Sequence, residues 1–462
     1  MSTPVETLHA WLKEHEQELL ETTQAVLRIN TIEGPAEPNA PYGQGNREAL
    51  DYMLNLAQTH GMKTTDLEGH LGYADFGSGE RLVMTLGHLD VVPVGPGWKH
   101  EPFGAEIDGG YIYARGAVDD KGPTIASYFA LRAIQSCFPD LGARFRAAFG
   151  CDEESGFGCV ERYVQTEEAP TYGIAPDSGW PCYHGEKGIG DLLVSVKTPG
   201  APFELTSFEG GQRPNIVIDS CRATVVVGAE VRAHVEGKLA DNWDRNISCS
   251  WSGEELVLEA VGKAAHGSTP FYGDNAATRV ARLLLAICPL SHQKFYEKFL
   301  EAFHPSGVGL GIHGRDDATA DLTCNIGVVS FSDGAVHLLA NVRYPATWKG
   351  SELLALAETK MAKLGEAWSV AVERDSPSLY FPKDHPMVRT IVDVYREQTG
   401  DMKEPQTMGG GTYARAVPNT ISIGTGWLGD GEAHQTDERL AVESLYKMSR
   451  IYAAILYRLA TV

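Results

Sequence analysis

At 462 residues the chain is too long for one ordinary compact core, so two or more domains are expected. Its hydrophobic and charged fractions, 43% and 22%, are those of a soluble globular protein. A formal charge of −22 argues against nucleic acid as a partner, because binding a phosphate backbone requires lysines and arginines clustered on one face. No apolar stretch is long enough to span a bilayer, so no membrane association is expected.

In chain order, Leu8, Trp11, Leu12, Leu19 and Leu20 among acidic and polar residues predict an amphipathic helix over 6–29. Glu6, Glu14 and Glu16 in that segment do not resemble an export signal. A second helix is expected over 46–60. Strand-like and helical segments then alternate: strands at 81–87, 144–150 and 172–176, and a helix at 122–136. This alternation predicts an α/β layer with a largely parallel sheet.

From about 188 the pattern changes. "DLLVSVKT", "RATVVVGAEV" and "ELVLEAVG" alternate apolar and polar residues, as half-exposed antiparallel strands do. Helices near 275–288 and 351–364 make this region an α+β insertion. After about 384 helical periodicity returns in "HPMVRTIVDVYREQ". A glycine-rich turn "MGGGTYARA", a strand "TISIGTG" and a last helix from about 439 follow. The expected division is therefore 1–187 and 384–462 as two parts of one domain, with 188–383 inserted between them.

Eight cysteines are scattered without a C-x-x-C pair, which fits reduced thiols in a cytoplasmic protein.

The residues able to do chemistry fall in five places, all at strand ends or in loops of the α/β part. They are His88 and Asp90 in "GHLDVVP", Asp119 and Asp120 in "RGAVDDKGP", and Glu153 and Glu154 in "GCDEESGFG". Asp177 in "IAPDSGWP" and His434 in "GEAHQTDE" complete the set. Alone, each has a bland reading. His-x-Asp is more often a hydrogen-bonded pair than a ligand set, Asp-Asp before a helix can be an N-cap, and Asp-Glu-Glu can be a solvated charge run. Ligands, however, collect at the carboxyl ends of strands in open α/β sheets. Two histidines and three carboxylates suit a pair of Zn²⁺-like ions with one carboxylate between them, and a further glutamate can serve as general base.

These five motifs, in this order over nearly the whole chain, resemble the di-zinc amidohydrolase and peptidase family. That family includes glutamate carboxypeptidases, acetylornithine deacetylase, succinyl-diaminopimelate desuccinylase, aminoacylases and carnosinases. "RGAVDDKGP", "APDSGWP", "FEGGQRPNIVID" and "MGGGTYARA" are most similar to its PepV-like bacterial dipeptidases. The resemblance implies a zinc-peptidase-like α/β catalytic domain, with a mostly parallel central sheet and helices on both faces, plus a large α+β lid. It implies two Zn²⁺ per chain, with Mn²⁺ or Co²⁺ as possible substitutes. His88 and His434 would each bind one ion, Asp119 would bridge, and Glu154 and Asp177 would complete the shells. Asp90 would orient His88, Glu153 would be the general base, and the Asp119–Asp120 peptide would be cis.

From the insertion, His266 of "AAHGSTP" resembles the residue that stabilises the oxyanion. Asn215 of "GGQRPN" and Arg343 of "ANVRYP" resemble residues that hold a substrate carboxylate, for which a guanidinium fork is suited. Gly410 and Thr412 of the glycine-rich turn would add contacts. Arg213 and Thr436 depart from the family's usual pattern.

The implied activity is hydrolysis of a dipeptide with a free carboxylate. An N-acyl amino acid deacylase or carboxypeptidase is the alternative, and a silent metal-binding protein a third reading. The large insertion, about twice the lid of dimeric relatives, implies a monomer.

Overall fold

A computed structural model describes residues 2–462, so Met1 lies outside it. The chain divides into two compact units. The first runs to His184 and takes in Phe381–Gln406 and Gly411–Val462; the second comprises Gly185–Tyr380 and Thr407–Gly410.

The first unit is built on a mixed sheet whose centre is parallel. Leu82–His88 lies between Arg144–Gly150 and Tyr172–Ser178, and Thr420–Gly424 pairs parallel to Tyr172–Ser178. The margins are antiparallel: Leu71–Gly77 and Lys63–Asp66 on one side, Cys182–Glu186 on the other. The α/β expectation therefore holds, with parallel pairing confined to the middle strands.

Every residue of Leu82–His88 is buried, as a strand covered on both faces requires. Its side chains alternate between two cores. Val83 packs with Phe145, Ala147 and Phe149 against residues of the helices Lys121–Cys137 and Val442–Thr461. Met84 and Leu86 face the other way, with Val160 and Tyr163 of the helix Gly158–Thr166 and with Tyr413.

The first expected helix is two, Pro4–Glu14 and Glu16–Leu27, broken at His15. There the imidazole stacks on Trp11 at 3.7 Å and its Nδ1 lies 2.7 Å from the Trp11 carbonyl.

The second unit is an antiparallel α+β layer. Its eight-stranded sheet runs Ile247–Ser252, Glu255–Val261, Ser220–Val227, Phe203–Gly210, Thr323–Ser332, Ala335–Tyr344, Gly188–Lys197 and Trp368–Ser376. The helices Ala276–Ile287 and Leu290–Ala302 pack residues into the same core as this sheet. Among the described residues, no helix is long and apolar enough to cross a membrane.

Candidate metal centre

The carboxyl ends of the central strands of the first unit gather the acidic and histidine residues. His88 is the last residue of its strand and is buried. Its Nδ1 lies 3.0 Å from the backbone carbonyl of Asp90, so Nδ1–H donates to that oxygen. The carboxylate of Asp90 stands farther off, at 3.6 Å, and its other oxygen accepts from the Glu154 amide at 3.0 Å. Asp90 thus reaches His88 chiefly through its main chain, while its side chain ties two motif-bearing loops together. With Nδ1 so engaged, Nε2 of His88 faces the acids and lies 3.1 Å from Oδ1 of Asp119.

Asp119 sits between the two histidines. Its Oδ2 is 3.0 Å from Nε2 of His434, which is also 3.1 Å from Oε1 of Glu154. His434 has a positive φ of 64°. A left-handed backbone costs a non-glycine residue about 1–2 kcal/mol, which the surrounding loop must offset.

Asp177 is in the strand Tyr172–Ser178, with Oδ2 3.9 Å from Nε2 of His88. The chain just beyond it is held by Trp180, stacked with Tyr395, Trp427 and Tyr452 at 5.1, 5.2 and 5.6 Å. Glu153 and Glu154 follow the strand Arg144–Gly150, and the hydroxyl of Tyr413 accepts from the Asp152 amide at 3.0 Å beside them. Asp120, for which a helix N-cap is the bland reading, makes no cap hydrogen bond. Instead it is buried, accepting from the Thr124 hydroxyl at 2.8 Å and the His88 amide at 3.3 Å. The Asp119–Asp120 peptide is cis.

Two donor groups result. His88, Glu153 and Asp177 offer ligand atoms within 4.8 Å of one another, and so do Asp119, Glu154 and His434.

The electrostatics of the cluster follow from its burial and from the crowding of its carboxylates. Burial, then the neighbouring Glu154 and Asp119, raise Glu153 well above the carboxylate range. Burial, with Asp119 and Glu153, does the same to Asp177. Burial opposes ionisation of Asp119 too, but its hydrogen bonds to His434 and His88 outweigh this and lower it. The same bond to Asp119, with one to Glu154, pushes His434 up to about 10.

Nitrogen and oxygen donors in this mixture fit borderline divalent ions. With both histidines neutral, the four carboxylates of the two groups balance two divalent cations. The residues therefore fit a dinuclear centre.

The remaining expected residues are placed as follows. Thr412 is in the first unit, buried, its hydroxyl accepting from the Ala414 amide at 3.2 Å. Asn215, His266, Arg343 and Gly410 are in the second unit. There the Gly267 amide donates to the Asn215 carbonyl at 2.7 Å, joining the motifs of Asn215 and His266. Arg343 is buried, donating to Asn341 Oδ1 at 3.1 Å and to the Gly409 carbonyl at 3.0 Å.

Sequence reasoning passed over Tyr413, Arg115 and Glu438 as participants around the cluster. All three lie inside the quoted motifs, but only the folded chain shows them buried.

Residues 84–458 match the family model described as Peptidase family M20/M25/M40. A protein of Staphylococcus epidermidis named "Putative dipeptidase" is 37% identical, the alignment covering 96% of this chain and 98% of that protein. A similarly named protein of Staphylococcus haemolyticus is 35% identical, over 97% and 98%. Among solved structures, aminoacylhistidine dipeptidase from Vibrio alginolyticus superposes with a TM-score of 0.58 at 14% identity, covering 95% of this chain and 96% of that one. Human carnosine dipeptidase 1 gives 0.56 at 16%, covering 100% of both, and these two similarities bear on the fold. The matching family model, the relatives and the fold agree: the chain belongs to peptidase family M20/M25/M40.

Proposed function

We propose that this protein is a metal-dependent dipeptidase that hydrolyses the amide bond of short peptides bearing a free C-terminal carboxylate. The observation that carries this reading is the position of Asp119, one oxygen toward His88 and the other toward His434. A carboxylate so placed would be shared by two ions. His88 and Asp177 would hold one, and His434 and Glu154 the other, with Zn²⁺ the ion best suited to this donor set. When bound, such a pair acidifies water and polarises a carbonyl.

The chain's own residues supply the rest. Glu153, which lies in the His88 group beside Asp177, is assigned the role of general base. It takes the proton of the attacking water and returns it to the leaving amine. Asp90, through its carbonyl, keeps His88 in the tautomer that presents Nε2.

In the second unit, Nδ1 of His266 accepts from the Ser268 amide at 3.2 Å. Burial and the charge of Arg343 lower its pKa and so favour the neutral ring, and an Nδ1 that accepts from the Ser268 amide leaves the proton of that ring on Nε2. A neutral Nε2–H is the donor an oxyanion needs. Arg343, Asn215 and Gly410, with Thr412 of the first unit, are assigned to the substrate, the guanidinium to its carboxylate.

We infer a monomer working in a reducing, cytoplasmic setting without nucleic-acid or membrane partners. All eight cysteines are unpaired, which supports the compartment, and the extent of the second unit supports the monomer. Light scattering tests the latter, and a stable dimer defeats it.

The function is tested by offering zinc-loaded protein dipeptides, tripeptides and N-acetyl amino acids side by side. Cleavage of dipeptides alone is expected. Cleavage of N-acetyl amino acids with dipeptides untouched would replace this reading by a deacylase, and removal of C-terminal residues from longer peptides by a carboxypeptidase.

A further inference from the structure

Arg115 and Glu438 form an ion pair at 2.7 Å whose side chains are 2% and 0% exposed. Burying two charges costs several kcal/mol per ion, and an apolar pair of the same volume is often as stable or more so. A fully buried pair therefore calls for an explanation other than stability, and its remaining hydrogen bonds supply one. Oε1 of Glu438 accepts from the amides of Val118 and Asp119, at 2.8 and 3.2 Å. Arg115 donates to the carbonyl of Gln435 at 3.2 Å and to those of Pro93 and Val94, both at 3.4 Å. Its guanidinium also lies over the ring of Trp98, 5.3 Å from the centroid.

One buried pair thus pins three loops that leave distant parts of the chain: the loop after His88, the loop carrying Asp119, and the loop carrying His434. Neither residue belongs to the two donor groups. The connection to Asp119 is through its own peptide nitrogen, one residue-length from the carboxylate that stands between the histidines. A main-chain anchor at that point fixes the backbone from which the bridging carboxylate projects.

We infer that Arg115 and Glu438 are positioning residues that fix the Asp119 carboxylate in its bridging place, and with it the spacing of the two metal positions. This rests on the reading of Asp119 as the bridging ligand.

The test uses Mn²⁺ as a spectroscopic probe. Two Mn²⁺ ions joined by a carboxylate are magnetically coupled, and electron paramagnetic resonance of the loaded protein reports that coupling independently of turnover. In the double variant Arg115→Met with Glu438→Met, an apolar pair replaces the charges, so the fold is expected to persist. Its amide anchor is gone, and the Mn²⁺–Mn²⁺ coupling should disappear, with the affinity for one ion falling about 10- to 100-fold. Glu438→Gln keeps an acceptor oxygen for the Val118 and Asp119 amides and should retain the coupling. If both variants keep the coupling and both affinities, with only the melting temperature changed, the pair is structural and the inference is overturned. Equal loss of coupling in both variants overturns it as well, because the anchor oxygen then makes no difference. Asp119→Asn serves as the control on the underlying reading. If that variant keeps the coupling, Asp119 does not bridge, and the proposed centre fails before the positioning pair is at issue.

Discussion

Nε2 of His434 lies 3.1 Å from Oε1 of Glu154, although 280 residues separate them along the chain. Glu154 belongs to the loop that follows a central parallel strand, whereas His434 precedes the last helix. Their meeting closes the second donor group, which Asp119 completes. The first group, His88 with Glu153 and Asp177, shares the Glu153–Glu154 loop with the second but takes no ligand atom from His434.

That independence gives a stoichiometric prediction. His434→Ala should lower the bound metal from about two ions per chain to about one, since a site left with two carboxylates has lost its nitrogen ligand. Elemental analysis after gel filtration reads this directly. An unchanged content of two would mean that His434 is not a ligand.

Replacing Glu153 should separate binding from chemistry. Glu153→Gln keeps the volume of the side chain but cannot accept a proton, and a positioned general base contributes typically 10²- to 10⁴-fold. We expect kcat to fall by about that factor, with metal content kept near wild type. Dipeptide turnover within a few-fold of wild type would remove Glu153 from the proton-transfer role.

The strand that delivers His88 has no spare room at Gly87. A β-carbon there would come 1.9 Å from Oγ1 of Thr124 and 3.0 Å from Oδ2 of Asp120. Thr124 also holds Asp120 through its hydroxyl, so the collision falls on the support of the histidine. Overpacking of this kind costs typically 1–3 kcal/mol. Gly87→Ala should destabilise the metal-free protein by about that amount in urea titration, and the loaded enzyme should lose turnover. A stability equal to wild type would show that the helix shifts without cost.

Much of this centre was legible in the sequence because metal chemistry demands particular residue types, and strand ends supply fixed places for them. His88, Asp119, Glu154, Asp177 and His434 stand out for that reason. What stayed hidden depends on burial and on main-chain contacts. Arg115 and Glu438 read as ordinary charged flanks of their motifs, since nothing in a sequence marks a charge as fully enclosed. The carbonyl of Asp90, rather than its carboxylate, is nearest His88, and a backbone acceptor leaves no trace in residue type. In the fold, the buried run Leu82–His88 announced itself, whereas the short polar edge strand Lys63–Asp66 carries no apolar signal. The helix break at His15 has neither glycine nor proline to mark it; the stack on Trp11 that accompanies it is visible only after folding.

The last prediction concerns protons. In the metal-free chain, hydrogen bonds to Asp119 and Glu154 push His434 up to about 10. Burial opposes the charging of His88, but Asp119 and Asp90 outweigh it and raise that group too. Both imidazoles are therefore protonated at neutral pH, while a ligand must present a bare nitrogen. The sign follows directly. Binding a cation must expel these protons, so uptake releases acid, and apparent affinity rises with pH and weakens as pH falls through the neutral range. Stability of the stripped chain runs the other way. A histidine with a raised folded pKa contributes fully below its ordinary value of 6.5, and for His434 that contribution is lost as pH rises through about 10. Titration calorimetry of the chelator-stripped protein with Zn²⁺, in two buffers of different ionisation enthalpy at pH 7.5, counts the protons. The two histidines contribute about two protons per chain, protons held by the raised Glu153 and Asp177 add to these, and His434→Ala should remove about one. A binding heat identical in the two buffers would mean that no net proton leaves, and the charge balance drawn for this cluster would be wrong.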